Sequence, residues 1–367
     1  MKIAVLISGG VDSAVVVDIL YRQGHELTLF YIRIGMDNDD GDCSAEEDIE
    51  MCSLIASRYE LPLKIVSLHE EYWDYVMDYA LKSVRKGLTP NPDMMCNKFI
   101  KFGFFEERYG KDFDKTATGH YARVREIDNR LFLATAADPV KDQTDFLSAI
   151  SYEQLAHVVF PIGALSKNEV RKLAEEARLP NARRKDSQGI CFLGKIDYRE
   201  FIKRKIGEKE GNVIDISTCK ILGKHKGHWF YTIGQRKGLG FGGGPWFVIR
   251  KDTESNTLYV SKGYDTPLQY ERVIPMEDIH WITVNPFEEI TCGLLDVKTD
   301  SGREEAPIAF KIRHTPEFTT GRLIKNETCW QIESDRDVQG VAPGQFATIY
   351  TPDCKLCLGS AMIRKYF

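Results

Sequence analysis

The N-terminus constrains the fold most. Ile3-Ala4-Val5-Leu6-Ile7 is a continuous apolar run, Gly9-Gly10 follows, residues 14–22 carry helical patterning, and 27–32 is apolar again. A run that is apolar at every position suits a strand covered on both faces, and two such runs joined through a helix-length stretch make a βαβ unit. Helix-patterned 46–59, apolar 63–68, helix-patterned 72–84 and strand-like 115–118 continue the alternation. The expected fold class is α/β, with a parallel sheet covered on both faces. Ser166-Lys167-Asn168-Glu169 opens a further helix as a capping box, and that helix is spent near Leu179-Pro180.

After about Gly207 the character changes. Glycines crowd together at 234, 238, 240, 242, 243 and 244, and short β-rich runs appear at 246–249, 257–260, 308–312, 328–332 and 347–350. This half predicts antiparallel β structure in one or two small barrels. Three domains are expected: 1–205, an α/β domain with a helical segment at about 164–180; 206–275, a small central β-rich domain; and 276–367, a C-terminal β-barrel.

Composition narrows the function classes. With 367 residues, 43% hydrophobic and 28% charged, the chain can bury real cores, which excludes collagenous, low-complexity and disulfide-scaffold readings. No apolar run approaches the roughly 20 residues of a membrane span, and the N-terminus lacks the layout of a signal peptide. A cytoplasmic protein with no membrane partner is expected. Nine scattered cysteines then read as reduced thiols. The formal charge of −5 argues at face value against a polyanion partner, but its distribution does not. Residues 164–250 hold 19 Lys and Arg against 9 Asp and Glu, a net +10, whereas 1–163 carry −10 and 251–367 carry −5. A basic block of this kind is what phosphate neutralisation needs, although solvated faces on ordinary helices would show the same count.

The sharpest chemical signal is Ser8-Gly9-Gly10-Val11-Asp12-Ser13, between the first strand and the first helix. The glycines allow a tight turn and close backbone approach, and helix-start N–H groups with the Ser8 and Ser13 hydroxyls make an anion cradle. The segment lacks the Gly-Lys-Ser/Thr of a P-loop and the spaced glycines of a dinucleotide fingerprint. Asp12 would repel phosphate unless it holds a cation or bonds to the backbone, and so hints at a magnesium-bound pyrophosphate. The hexapeptide resembles the PP-loop of the N-type ATP pyrophosphatases, which cleave ATP between its α- and β-phosphates and transfer AMP to an acceptor. The acceptor stays open at this point: the resemblance covers GMP, argininosuccinate and asparagine synthetases as well as several tRNA-modifying enzymes.

Two cysteine contexts narrow the choice. Thr89-Pro90-Asn91-Pro92-Asp93-Met94-Met95-Cys96-Asn97-Lys98 delivers a cysteine to the head of a helix, where the dipole favours a thiolate. Cys191, in Lys185-Asp186-Ser187-Gln188-Gly189-Ile190-Cys191-Phe192, follows Arg183-Arg184-Lys185, charges that lower a thiol pKa. Either cysteine alone also fits a buried apolar side chain; the surroundings favour the reactive reading. Further segments are Ala117-Thr118-Gly119-His120-Tyr121, Asp138 with Lys141-Asp142-Gln143, Tyr231-Thr232-Ile233-Gly234-Gln235-Arg236-Lys237-Gly238-Leu239-Gly240, and Ala342-Pro343-Gly344-Gln345. In combination, and over nearly the full length, these resemble the tRNA-specific 2-thiouridylase family.

The resemblance implies an N-terminal PP-loop domain and ATP-dependent 2-thiolation of the wobble uridine of tRNA. The uracil carbon 2 oxygen is adenylated, and sulfur from a cysteine persulfide displaces AMP. Cys191 would carry the persulfide, and Cys96 would resolve it through a transient disulfide or help deliver sulfide. ATP, with Mg2+, would rest on Leu6, Ile7, Ser8, Gly9, Gly10, Val11, Asp12, Ser13, Ile32 and Gly119. The target base would lie near Asn91, Pro92 and Asp93, with Asp93 as a proton-transfer group. Other tRNA contacts would fall on His120, Lys141, Asp142, Gln143, Arg313, His314 and Gln345. The partners implied are tRNA, with its wobble uridine flipped from the anticodon loop, and a sulfur donor such as a cysteine desulfurase or sulfur-relay protein. One position departs from the pattern: many relatives have Met where Leu29-Phe30-Tyr31-Ile32-Arg33 places Ile32, a change that keeps an apolar adenine contact.

The remaining cysteines carry weaker signals. Cys354-x-x-Cys357 is half of a zinc site with no second CxxC, so a pair of buried hairpin thiols is the favoured reading. Cys43, among the acids of 37–48, is a poor thiolate, and the acidic run reads as a solvated loop.

Overall fold

The computed structural model describes residues 1–35, 43–185, 198–264, 266–289, 293–300, 302–327 and 329–364. β1 (Lys2–Leu6) turns through the glycines into α1 (Val11–Arg22), followed by β2 (Glu26–Arg33), α2 (Cys43–Arg58) and β3 (Leu63–Ser67). The helix expected at 72–84 is a longer run: α3 (His69–Tyr72), an i→i+5 stretch at Trp73–Met77 and α4 (Asp78–Arg85). A second run holds α5 (Pro92–Met95), an i→i+5 stretch at Cys96–Phe104 and α6 (Phe105–Arg108). β4 (Lys115–Ala117) precedes a hairpin of β5 (Arg123–Ile127) and β6 (Arg130–Ala134). Then come α7 (Thr144–Leu147), α8 (Tyr152–His157), β7 (Val158–Val159) and α9 (Lys167–Glu176). The Ser166 capping box opens α9 as its sequence predicts.

The first sheet has the order β3-β2-β1-β4-β7 and is parallel throughout. Its strands are apolar on successive residues because both faces are covered. Ile3 and Val5 pack with Val15, Ile55 and Val170 of α1, α2 and α9, while Ala4 faces Phe30, Val76 and Ile100 on the other side. Ile3, Ala4 and Val5 are fully buried, and each fully buried Ile or Val contributes roughly 1.5–3 kcal/mol. Strand order reverses at β1, where β2 lies on one side and β4 on the other, so a crevice opens beyond the carboxyl ends of β1 and β4.

The middle segment contains α10 (Tyr198–Ile206), β8 (Gly211–Asp215), β9 (Ile221–His225), β10 (Trp246–Asp252) and β11 (Thr257–Lys262), with sheet order β10-β11-β8-β9. The β8–β11 pair is parallel, unlike the antiparallel pattern expected of this half. The long glycine-rich connection between β9 and β10 lets the β10–β11 hairpin return alongside β8.

The last segment holds β12 (Tyr270–Trp281), β13 (Lys298–Asp300), β14 (Arg303–Lys311), β15 (Thr319–Lys325), β16 (Trp330–Gln339), β17 (Phe346–Tyr350) and β18 (Leu356–Ile363). The β12–β18 pairing closes the ring β12-β16-β15-β14-β17-β18, which is a six-stranded barrel. Two features cut across the expected divisions. β12 starts at Tyr270, before the boundary placed at 275, and the β5–β6 hairpin joins β18 through Cys357↔Leu133, so the first segment lends two strands to the last. No helix among the described residues is long and apolar enough to cross a membrane.

A buried ion pair bolts these parts together. Lys311 Nζ on β14 lies 3.6 Å from Asp142 Oδ1, with side chains 1% and 2% exposed, and sits 4.1 Å above the Phe318 ring. Asp142 also accepts from the Ala136 N–H at 2.7 Å and the Thr144 hydroxyl at 2.6 Å. Breaking a buried pair strands the remaining charge, at a cost of about 3–5 kcal/mol, whereas replacing both partners is far milder. Asp142→Asn is expected to lose stability of that order in urea unfolding, and adding Lys311→Met should recover most of it.

Candidate active site

The turn after β1 is held by its own hydroxyls. The Ser8 N–H donates to Ser13 Oγ at 3.2 Å, and the Ser13 hydroxyl donates to the Gly10 carbonyl at 3.1 Å. Gly9 has φ +73°, and a Cβ there would meet the Asp48 carbonyl oxygen at 3.0 Å. Gly10 caps α1 with no side-chain hydrogen bond, which leaves the first-turn amides to an incoming anion. The Gly9 carbonyl is drawn the other way, accepting from Asn181 Nδ2 at 2.9 Å and Arg184 Nη1 at 3.1 Å. Gly119, beyond the end of β4, packs so closely that a Cβ would lie 3.0 Å from the Ser13 nitrogen. Leu6 and Ile32, late in β1 and β2, pack on the same apolar cluster. The predicted nucleotide residues from three strand ends therefore share one crevice.

Asp12, the residue expected to share a magnesium ion with the phosphates, is held by groups of the chain itself. Its carboxylate accepts from Lys167 Nζ at 2.7 and 2.9 Å and from the Tyr121 hydroxyl at 2.9 Å. The cation it holds is an ammonium group. Lys167 is the first residue of α9, and its backbone N–H donates to Asp138 at 2.9 Å, so the capping box also aims a side chain. Sequence reasoning quoted Lys167 and Tyr121 without giving either a role. Among the described residues, no three His, Cys, Asp or Glu side chains gather as a metal site.

A second cleft of about 320 Å³ lies between α5 and the barrel. One wall carries Asn91, Pro92 and Asp93; Arg313, His314 and Gln345 face them from the other half of the chain. Asn91 is the N-cap of α5, its Oδ1 accepting from the Met94 N–H at 3.1 Å. Arg313 is pinned by Nη2, which donates to Ile233 O at 3.1 Å and Gly340 O at 2.5 Å. His314 Nδ1 lies 3.0 Å from Asp145 Oδ2, and its ring stacks at 4.7 Å on Phe146. Asp145 and Phe146 sit on α7, immediately after the predicted 141–143 segment, and went unmarked because a four-residue helix leaves no periodicity to read. Cys96 is three residues beyond Asp93 in the same helical run, hence on the same face, and is buried at 6% exposure.

The other predicted contacts lie between crevice and cleft. His120 follows Gly119 in the loop after β4, its Nδ1 2.8 Å from Thr118 Oγ1 and its ring centroid 6.1 Å from those of both Phe102 and Phe160. Burial, with a smaller push from Lys101, holds its pKa well below the ordinary histidine value, so it stays neutral at pH 7. Gln143 turns inward, its Oε1 accepting from the Tyr121 N–H at 3.0 Å. The carboxylate of Asp142, a residue expected among the tRNA contacts, is buried and committed to Ala136, Thr144 and Lys311. Lys141 is partly exposed on the same loop.

Cys191 lies outside the described residues, as do Cys292 and the side chain of Cys43. Of the basic residues preceding Cys191, Arg184 is already engaged by Gly9 and Asp48. Cys52, fully buried behind the glycine turn, has its thiol pushed up to about 12 by burial and then by Asp48. Burial likewise raises Cys357 and, less strongly, Cys354, which makes both poor thiolates.

Three family models match the chain: the tRNA methyl transferase HUP domain over residues 1–195, the tRNA methyl transferase PRC-barrel domain over 199–262, and the aminomethyltransferase beta-barrel domain over 272–363. Among curated relatives, a protein of Parabacteroides distasonis named tRNA-specific 2-thiouridylase MnmA is 57% identical over 365 residues, covering 99% of each chain. One of the same name from Porphyromonas gingivalis is 55% identical over 368 residues, covering 100% of this chain and 99% of its own. A tRNA-specific 2-thiouridylase MnmA 2 of Bacteroides fragilis is 57% identical over 364 residues, covering 99% of this chain and 100% of its own.

The close approach of Gly119 to Ser13 generates a test. Gly119→Ala places a methyl group against the first-turn amides. Losing one hydrogen bond to a charged phosphate costs roughly 1.5–3 kcal/mol, or about 10- to 100-fold in affinity. Calorimetric titration with ATP should show that loss while the melting temperature stays within a few degrees; an unchanged dissociation constant would contradict the placement.

Proposed function

The chain belongs to the tRNA-specific 2-thiouridylase family, and from that premise we propose that it uses ATP to exchange the carbon 2 oxygen of a tRNA wobble uridine for sulfur. The observation that carries the site assignment is the cleft that gathers Asn91, Pro92 and Asp93 with Arg313, His314 and Gln345 beside the buried Cys96. A partly enclosed space between two domains, lined by both polar and apolar side chains, suits a single base taken out of its stack.

In this reading ATP lies over the Ser8–Ser13 turn, with Leu6 and Ile32 against the adenine and Gly119 giving the phosphates room. The uridine oxygen attacks the α-phosphorus and pyrophosphate leaves. Asp93, at the wall of the cleft, takes the proton that the ring nitrogen sheds as that oxygen becomes nucleophilic. The terminal sulfur of a Cys191 persulfide then adds at carbon 2, and AMP departs with the original oxygen. The persulfide S–S bond must break: the Cys96 thiolate attacks the Cys191 sulfur and forms a Cys96–Cys191 disulfide for an external thiol to reduce, and the bonding electron pair leaves with the terminal sulfur, either when it is already on carbon 2 or beforehand as hydrosulfide that then adds there. A magnesium ion brought with the phosphates would neutralise their charge, and Asp12 in the Ser8–Ser13 turn is the carboxylate of this chain that would help hold it.

tRNA is held at Arg313, His314 and Gln345 around the base and at His120, Lys141 and Gln143 towards the nucleotide. Asp142 acts through Lys311 and the loop it braces. The sulfur donor is a cysteine desulfurase or a sulfur-relay protein.

Incubation with ATP, a sulfur donor and unmodified tRNA, followed by mass analysis of the nucleosides, should reveal 2-thiouridine. Cys191→Ala should abolish the product while ATP binding persists, and Asp93→Asn should slow formation by about 10²–10⁴-fold. Normal thiolation by the Cys191 variant would overturn the reading.

A further inference from the structure

The Pro90–Pro92 turn is a partition. On its far side from the base cleft lies a second cavity of about 520 Å³, which Pro90 and Pro92 also line. Arg199 of α10, Trp229, Tyr231 and Lys237 contribute to its remaining walls. We propose that this cavity is a second nucleotide subsite, which receives the immediate neighbour of the target uridine in the anticodon loop. The proposal rests on the tRNA reading above and names what else that RNA must touch.

Chemistry and position support this occupant. The Arg199 guanidinium lies 5.4 Å from the Phe230 ring centroid and 6.0 Å from that of Tyr231, so a cationic plane is already layered on aromatic faces. Bases stack on such guanidinium and aromatic planes, and a backbone phosphate would pair with exposed Lys237 at the rim. The charged side chains on its lining, Arg199 and Lys237, are both cationic, which favours a polyanion over an apolar partner. One proline turn separates it from the base cleft, so a strand whose uridine enters one side places an adjoining nucleotide on the other. Groups able to read a base edge are largely spent: Trp229 Nε1 donates to Gly207 O, and the Gln235 amide bonds Thr232 N and Lys237 O. Stacking with little edge contact predicts a subsite that needs a base but tolerates its identity.

The test measures binding of the full-length protein to three unmodified anticodon stem-loop RNAs: intact, abasic 5′ of the target uridine, and abasic 3′ of it. In the wild type, one abasic RNA should bind about tenfold more weakly. Exchanging the base at that position should change affinity less than twofold. Arg199→Ala, a surface change checked by melting temperature, should weaken the intact RNA by a similar factor and no longer distinguish it from that abasic RNA. Wild-type affinity and discrimination in Arg199→Ala would overturn the subsite. So would unchanged RNA affinity with slowed turnover, which would assign the cavity to the 186–197 segment that leads into α10. Thiolation of the intact RNA by the wild type is scored in parallel: its absence sinks the underlying reading, whereas thiolation with no loss on either abasic RNA sinks the subsite alone.

Discussion

The carboxylate of Asp12 is the point through which the two halves of the site communicate. It holds Lys167 at the start of α9 and the Tyr121 hydroxyl, and Tyr121 shares backbone and side-chain hydrogen bonds with Gln143. Gln143 leads directly into α7, whose Asp145 faces His314 on the barrel side. One residue before Gln143, Asp142 pairs with Lys311 in the barrel wall. A continuous path of polar contacts thus runs from the nucleotide turn to the base cleft. Its buried end is held by charge, since removing either member of the Asp142–Lys311 pair would strand the other. A cation arriving with phosphates would compete with Lys167 for Asp12, and the same ammonium, once released, has an anion to meet in the crevice. Occupancy of the turn and the state of this path are then linked by charge.

That path explains why charge counts along the chain are a poor guide to its surfaces. The first segment totals −10, yet Asp12, Asp18, Asp48 and Asp142 each have a basic partner, and in three of these pairs, those of Asp12, Asp48 and Asp142, the partner lies beyond residue 163. In contrast, Arg199, Arg236 and Lys237 remain around the glycine-rich loop with aromatic rings as neighbours.

Much of this was legible in the sequence for identifiable physical reasons. The first sheet was, because strands covered on both faces write continuous apolar runs and the capping box at Ser166 marks a helix start without tertiary help. The Ser8–Ser13 turn was, since glycines and hydroxyls at a strand-to-helix junction serve few other ends. What stayed hidden depended on distant contacts. β5 and β6 look like an ordinary hairpin, and only the exposed edge of β18 recruits them into the barrel sheet. Asp142 has the composition of a loop residue, and nothing local reveals that Lys311 lies opposite. The pairing of α7 with His314 is equally invisible, although both partners sit beside residues that the motifs had marked.

The anchors on either side of Cys191 set a limit on where its chemistry can occur. Arg184 is tied to Gly9 and Asp48 behind the nucleotide turn. Tyr198 opens α10, whose Phe201 and Ile202 are buried in the same cluster as Met94 and Cys96. Cys191 is seven residues from each anchor, about 25 Å at full extension. One tether therefore starts at the nucleotide and the other at the helix pack that carries Cys96. On the proposed reading, a persulfide on Cys191 must act within that reach of both the glycine turn and the helical run that carries Asn91–Asp93 and Cys96. On the proposed role of Cys96 as the resolving thiol, its burial has a use, since a thiol shielded from solvent oxidants is kept reduced until sulfur reaches it.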